Sequence, residues 1–298
     1  MTTPRIYLPV FLKKGDVCHA TEDQAHYLGS VLRMKEGGSV CVFNGNGMEY
    51  EAVIEEFTKN GARLAVVERR EIPIANVHAT LCQAIPKANK LDGIIRHATE
   101  LGANRIIPFF STRSVPRWDS LQSAHKNKRW RRIAVEACRQ SGRADIPEIA
   151  DIVTFTEMLS SLPPDGLKLI PWEGETRTLI RDVLRKKSQA SREVVLAIGP
   201  EGGFSAQEIE QAKESGFISV SLGKGCSGWK RRLLPSWPSF SMKAKLILQQ
   251  AELNLYQAKL NVHQAKLNLY QAELILHQAK LNLYQAKLKR FNPDKGKE

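Results

Sequence analysis

Cysteine is scarce and unpaired in this chain of 298 residues, which carries Cys18, Cys41, Cys82, Cys138 and Cys226 with no C-x-x-C spacing. An odd, scattered set provides neither a disulfide framework nor a zinc site and suits a reducing compartment. The seven histidines form no H-x-x-H or H-x-x-x-H pair, so no metal is expected. No apolar run reaches the roughly 20 residues of a membrane-spanning helix. The opening stretch MTTPRIYLPVFLKKG lacks the basic, apolar and small-residue order of a signal peptide. A cytoplasmic protein without membrane contact is expected. A Walker loop and a G-x-S-x-G elbow are also missing, which removes two common signatures of nucleotide hydrolysis and acyl transfer.

Acidic residues are in deficit, but unevenly. Of the net charge of +13, residues 224–298 contribute +10, from 14 Lys/Arg against 4 Asp/Glu, while residues 1–223 hold 30 against 27. Nucleic-acid binding therefore has to rest on local clusters rather than on the total.

The first seventy residues read as β structure. Ser39–Phe43 and Met48–Ile54 alternate in polarity around Asn44-Gly45-Asn46-Gly47, a strong hairpin signal, and Ala62–Val67 adds a strand. Short strands with turn punctuation predict a small barrel, and Arg69–Pro73 reads as a linker. From about residue 77, apolar runs (His78–Ala84, Arg105–Phe109, Leu167–Ile170, Val194–Ile198) alternate with helical stretches (Lys90–Leu101, Lys128–Gln140, Ala206–Ser215). That alternation predicts an α/β domain on a buried, mainly parallel sheet.

Two stretches carry chemistry. Leu196-Ala-Ile-Gly-Pro-Glu-Gly-Gly-Phe204 is an apolar strand ending in a glycine-rich loop, and Ser205 with Glu208 makes a capping box that opens the next helix. Glycines at the carboxyl end of a strand let the backbone approach a ligand closely, although a bare strand-to-helix turn has the same pattern. The second is Lys126-Asn-Lys-Arg-Trp-Arg-Arg132, running into Glu136-Ala-Cys-Arg-Gln-Ser-Gly-Arg143. One aromatic among cations suits RNA, and it equally suits a solvated basic helix face with Trp130 in the core.

These pieces, together with Arg5–Leu8, Ala25–Leu28, Val31–Arg33, Gln83–Lys87, Ala98–Gly102, Trp172–Gly174 and Ser221–Lys224, resemble the RsmE-type 16S rRNA (uridine-N3) methyltransferases of the SPOUT class. The resemblance runs through residues 1–224 in order and spacing. It implies a PUA-like RNA-binding barrel (1–72), an α/β-knot methyltransferase domain (73–224), S-adenosyl-L-methionine as cofactor and a homodimer acting on 16S rRNA of the small ribosomal subunit. The cofactor would sit on Ile198, Gly199, Pro200, Glu201, Gly202, Gly203, Leu222 and Gly223. Arg113, Gln140 and Arg143 are candidate donors to the uracil carbonyls. Arg5, Arg33, Lys128, Arg129 and Arg132 are candidate RNA contacts.

Beyond Lys224 the resemblance stops. The family continues with a segment like R-x-L-R-x-E-T-A and an apolar helix that close the knot. This chain reads Lys224-Gly-Cys-Ser-Gly-Trp-Lys-Arg-Arg-Leu-Leu234 instead. One added adenine after the Lys224 codon restores Gly-Lys-Arg-Val-Leu-Arg-Val-Glu-Thr-Ala-Ala, and Trp229-Lys230 forces the Glu in that frame. A one-base deletion is the reading that follows, with an incomplete knot and impaired activity. The tail 225–298 carries seven-residue units over 244–291 (AELNLYQ, AKLNVHQ, AKLNLYQ), helix-prone with a coiled-coil-like seam. They fit either a translated DNA repeat or an oligomerisation helix. A non-catalytic RNA-binding remnant and an oligomerising helical scaffold are the competing functions.

Overall fold

The computed structural model describes residues 3–73, 77–115, 118–187 and 192–221. The first sheet contains β1 (Arg5–Tyr7), β2 (Val17–Ala20), β3 (Ser39–Phe43), β4 (Met48–Thr58) and β5 (Gly61–Glu71). Its order is β1-β3-β4-β5-β2, with β1 parallel to β3 and the other pairs antiparallel. Alternation in the sequence becomes alternation in burial. Met48, Tyr50, Ala52 and Ile54 of β4 are buried, and the residues between them are partly exposed. Gly45 and Gly47 take φ of 83° and 84° in the β3–β4 turn, a region that glycine enters without a Cβ clash. Between β2 and β3, a Thr21–Gln24 capping box starts α1 (Glu22–His26), which runs into a π-helical turn over Tyr27–Val31. That segment places Ala25 and Leu28 in the core of this sheet.

The stretch Arg69–Pro73, expected as a linker, is strand as far as Glu71. Strand β4 is long enough to pair with it, setting Tyr50 opposite Arg69, and Arg70 reaches Glu51 at 3.4 Å and Glu68 at 2.7 Å.

The second sheet is parallel throughout. It contains β6 (His78–Ala84), β7 (Arg105–Phe110), β8 (Glu148–Ile149), β9 (Val153–Thr154), β10 (Leu167–Pro171), β11 (Glu193–Ile198) and β12 (Ile218–Val220). The order is β12-β10-β11-β6-β7-β8, with β9 also on β7. Helices α2 (Lys90–Glu100), α3 (Ser120–Ser141), α4 (Phe155–Ser160), α5 (Ile180–Lys187) and α6 (Ala206–Glu214) complete it. Alternate strand residues feed two cores. Leu81, Ile106, Leu169 and Leu196 pack with α2, α3 and α5, while Cys82, Ile107, Ile170 and Val195 pack with α4 and α6. The described residues thus form a three-layer α/β unit preceded by a smaller β unit. Helix α3 begins earlier than its apolar period predicts, because the Asp119 side chain caps it by accepting from the Gln122 amide.

Backbone bonds join the two sheets. Ile146 N donates to Gly45 O at 2.9 Å, and Gly47 N donates to Ala144 O at 3.1 Å. Gly45 has a positive φ, and a Cβ there would come within 2.8 Å of Ile146 Cδ1, so both backbone and packing favour glycine. The expected heptad helix over 244–291, and the segment on which knot closure depends, lie outside the described residues. Among the described residues, no helix is long and apolar enough to cross a membrane and no three His, Cys, Asp or Glu side chains group as a metal site.

Candidate active site

A parallel sheet delivers all its strands to one edge, and ligands bind there where the strand order reverses. Strand β11 returns to lie between β10 and β6. The loops after β6, β7, β10 and β11 therefore meet at a single edge. The loop after β11, Gly199–Phe204, is the glycine-rich one. Gly203 has φ of 70° and its N–H donates to Pro200 O at 2.9 Å, closing a tight turn. A Cβ on Gly199 would stand 3.1 Å from the Phe204 ring, so the loop folds directly over that side chain.

Neighbouring loops clamp this turn through side chains. Glu201 accepts from the Lys87 amide at 3.2 Å and from Lys90 Nζ at 2.9 Å, which ties the loop to the segment after β6. Burial pushes the Glu201 carboxyl upward, but the bonds from Lys90, its own amide and Lys87 outweigh this and hold it below the usual carboxylate value. Arg113, in the loop after β7, donates to Gly202 O at 2.7 Å. Buried Glu208 completes the capping box with Ser205 and also accepts from the Thr112 amide at 2.9 Å. Its pKa is likewise lowered, with the Ser205 and Thr112 amides overcoming its burial. From the loop after β10, Glu173 Oε1 lies 3.1 Å from the position of a Cβ on Gly203.

The candidate donors do not gather here. Arg113 is exposed beside the glycine loop. Arg143 is at the other end of the sheet: its Nη1 donates to Thr99 O at 2.6 Å and Ala103 O at 3.0 Å, just before β7 begins. Its fork also pairs with Asp145, and the side chain is 13% exposed. Those Arg143 donors are thus engaged within the chain, as a tie between the segment before β7 and Asp145. Gln140 is exposed at the end of α3, with Nε2 donating to Glu136 at 3.2 Å.

Arg5, a candidate RNA contact, is likewise engaged within the chain. It pairs with Glu49 at 2.6 Å, donates to Arg143 O at 2.9 Å and lies over the Phe43 ring, so it joins the sheets rather than facing solvent. Arg33, Lys128 and Arg132 are exposed, and Arg129 is half-exposed while pairing with Asp92 at 2.6 Å. Trp130 is in the core, its indole N–H donating to Asp92 at 3.1 Å, so the solvated-face alternative holds for this ring. Ile198 and Pro200 are buried at the base of the loop, while Leu222 and Gly223 lie outside the described residues. Burial pushes the Cys82 and Cys138 thiols up to about 12, which leaves them inert as nucleophiles.

A family model described as an RNA methyltransferase domain matches residues 73–226, and one described as an RNA methyltransferase PUA domain matches residues 20–67. The ribosomal RNA small subunit methyltransferase E of Rickettsia conorii is 31% identical over 222 residues, covering 74% of this chain and 87% of the relative. The chain belongs to the ribosomal RNA small subunit methyltransferase E family. The Bacillus subtilis member is 29% identical over 214 residues, 68% of this chain and 81% of its own length. Among solved structures, the Neisseria gonorrhoeae member bound to S-adenosyl methionine aligns with a TM-score of 0.72 at 29% identity, covering 85% of this chain and 98% of that one. A Legionella pneumophila methyltransferase in complex with SAM aligns equally well, at 30% identity over 84% and 98%. The methyltransferase match ends at residue 226, close to Lys224, where the sequence leaves the family pattern.

The described residues fit the cofactor of those two solved structures as one wall of its site. The loop offers backbone rather than side chains, apolar Ile198 and Phe204 underlie it, and a carboxylate stands at its edge. The loop itself is legible in the sequence, but its clamps are not. The Thr112–Glu208 and Lys90–Glu201 bonds span 96 and 111 residues, and nothing local encodes them.

Proposed function

We propose that the chain is built as an S-adenosyl-L-methionine-dependent methyltransferase acting on N3 of one uridine in 16S rRNA, working in the cytoplasm on the small ribosomal subunit. The observation that carries this reading is the glycine loop, clamped by Glu201 and Arg113 at the carboxyl edge of the parallel sheet. When bound, the cofactor supplies an electrophilic methyl carbon. The remaining requirements fall to the protein. Uridine N3 carries an imide proton and becomes nucleophilic as that proton leaves, so negative charge grows on the flanking carbonyl oxygens. Arg113, anchored on Gly202 O, is the donor best placed to stabilise it. Ile198, Pro200, Phe204 and the backbone of Gly199, Gly202 and Gly203 would orient the cofactor, with Leu222 and Gly223 completing the cradle.

Gln140 belongs to the opposite edge of its own sheet. A uridine on the glycine loop of one protomer would meet such a residue only from a second copy, which is the reason to propose a homodimer. The barrel over 1–72 and the exposed cations Arg33, Lys128, Arg129 and Arg132 would hold the RNA, with the catalytic domain over 73–224.

The departure after Lys224 favours a second statement, that this chain binds its cofactor poorly because the frame changed before the knot closed. Calorimetric titration of SAM onto the chain and onto a frame-restored variant tests both. Heat from the restored variant alone is expected. If neither protein binds, the methyltransferase reading falls; if both bind equally, impairment falls.

A further inference from the structure

A cavity of about 400 Å³ lies where the β3–β4 turn meets the segment after α3, away from the glycine loop. We infer that it receives one unstacked nucleobase of a single-stranded RNA segment, with Phe11 as the stacking face, the Asn46 amide reading the base edge and Arg131 on the adjoining phosphate. This inference rests on the rRNA-binding reading above and names a site within it.

Each part follows from what the residues are doing. Phe11 is 77% exposed, an unusual position for a phenyl ring that takes no part in any of the three cores, and it lines the cavity together with Tyr7. Base-on-aromatic stacking uses such a ring, and it requires a base that is out of a duplex. Asn46 is exposed and, among the described residues, its side-chain amide has no partner, so both its donor and its acceptor are available. Asn44 Oδ1 accepts from the Asn46 and Met48 amides, which fixes the turn and leaves Nδ2 a buried donor without a partner. Arg131 is 63% exposed and only loosely engaged, 3.7 Å from Asp151 and 3.5 Å from Ile149 O, so it can turn to a phosphate.

The walls are preformed. The Gly45–Ile146 and Gly47–Ala144 backbone bonds fix one side of the cavity to the other. Binding therefore does not have to order the site, which keeps the affinity of a single stacked base usable. An aromatic face, an amide and a cation in one rigid cleft suit a nucleotide better than an acidic or apolar peptide.

The test measures binding of the full chain to a single-stranded oligouridylate and to a duplex of equal length, at one salt concentration. Phe11→Ala should weaken single-strand binding on the order of 5- to 150-fold, the worth of one base–aromatic stack. Phe11→Trp should retain the wild-type affinity, and duplex binding should be unmoved by either change. Exposure of Phe11 makes loss of the fold an implausible cause. Asn46→Ala provides a second variant, expected to weaken single-strand binding alone. If the wild-type chain binds RNA and both alanine variants bind as tightly, this site is wrong while the rRNA reading stands. If the wild-type chain binds no RNA, both fall.

Discussion

Replacing Arg143 by alanine should destabilise the protein without acting on the chemistry directly. The side chain donates to Thr99 O and Ala103 O, and its fork pairs with Asp145. Thr99 and Ala103 are buried, so their carbonyls would lose a donor that water cannot readily replace. Breaking a buried ion pair by removing one partner costs about 3–5 kcal/mol. Asp145 keeps 29% of its side-chain exposure, which argues for the lower end, about 3 kcal/mol. For a domain of this size that is a drop in melting temperature of roughly 6–12 °C. The assay is thermal unfolding by circular dichroism, with Arg143→Lys falling between, since an ammonium cannot serve both carbonyls and the carboxylate. Arg113→Ala is the control. It is exposed, and its stability should move by about 0.5 kcal/mol or less, while methyl transfer by the frame-restored chain falls. An Arg143→Ala variant of the frame-restored chain that melts like its parent yet transfers no methyl group would refute the assignment and return Arg143 to the catalytic set.

Two further outcomes are expected. Gly203→Ala places a Cβ on a residue at φ 70°, 3.1 Å from Glu173 Oε1, so SAM affinity of the frame-restored chain should fall roughly 5- to 30-fold; unchanged affinity by calorimetry would remove the loop from the cofactor site. The Glu201 carboxyl is held below its ordinary value of 4.5. Its contribution to stability is therefore present above that pH and lost as pH falls through the folded value. Glu201→Gln should flatten the acid limb of the stability profile below about pH 4.5, and an identical limb would show that the Lys90 clamp contributes nothing.

Much of the architecture was legible because local chemistry and global fold agree. The Asn44–Gly47 turn, the four apolar strands of the parallel sheet and the Ser205–Glu208 capping box each announce themselves within a few residues, and each occurs in the structure. Errors came where the deciding partner is distant in sequence. Residues 69–71 are charged and look like a linker, but a long antiparallel neighbour captures them as strand. The π-helical turn at Tyr27–Val31 has no signature in residue type, and the two-residue strands β8 and β9 are too short for periodicity to register.

The arginines illustrate the same limit most sharply, because sequence reveals a cation but not its counter-charge. Arg5 reads as a nucleic-acid contact and Arg143 as a catalytic donor, while Arg139 falls in the basic stretch between Lys126 and Arg143. In the fold, Arg5 meets Glu49 and the backbone of residue 143, and Arg139 pairs with Glu136 while donating to Tyr27 Oη at 2.6 Å. Arg143 holds Asp145, whose neighbours Ala144 and Ile146 bond the β3–β4 turn. All three contribute to the seam between the two sheets. The near balance of charge over 1–223 is consistent with this, since a chain using its arginines internally must supply acids and carbonyls to meet them. Among the described residues, cations more open to an anionic partner include Arg33 in the first unit, Lys128 and Arg132 on α3, and the loosely paired Arg131 beside the cavity at the seam. Those cations border both units, so an RNA strand following them would cross the seam that the partly buried Arg5, Arg139 and Arg143 tie together.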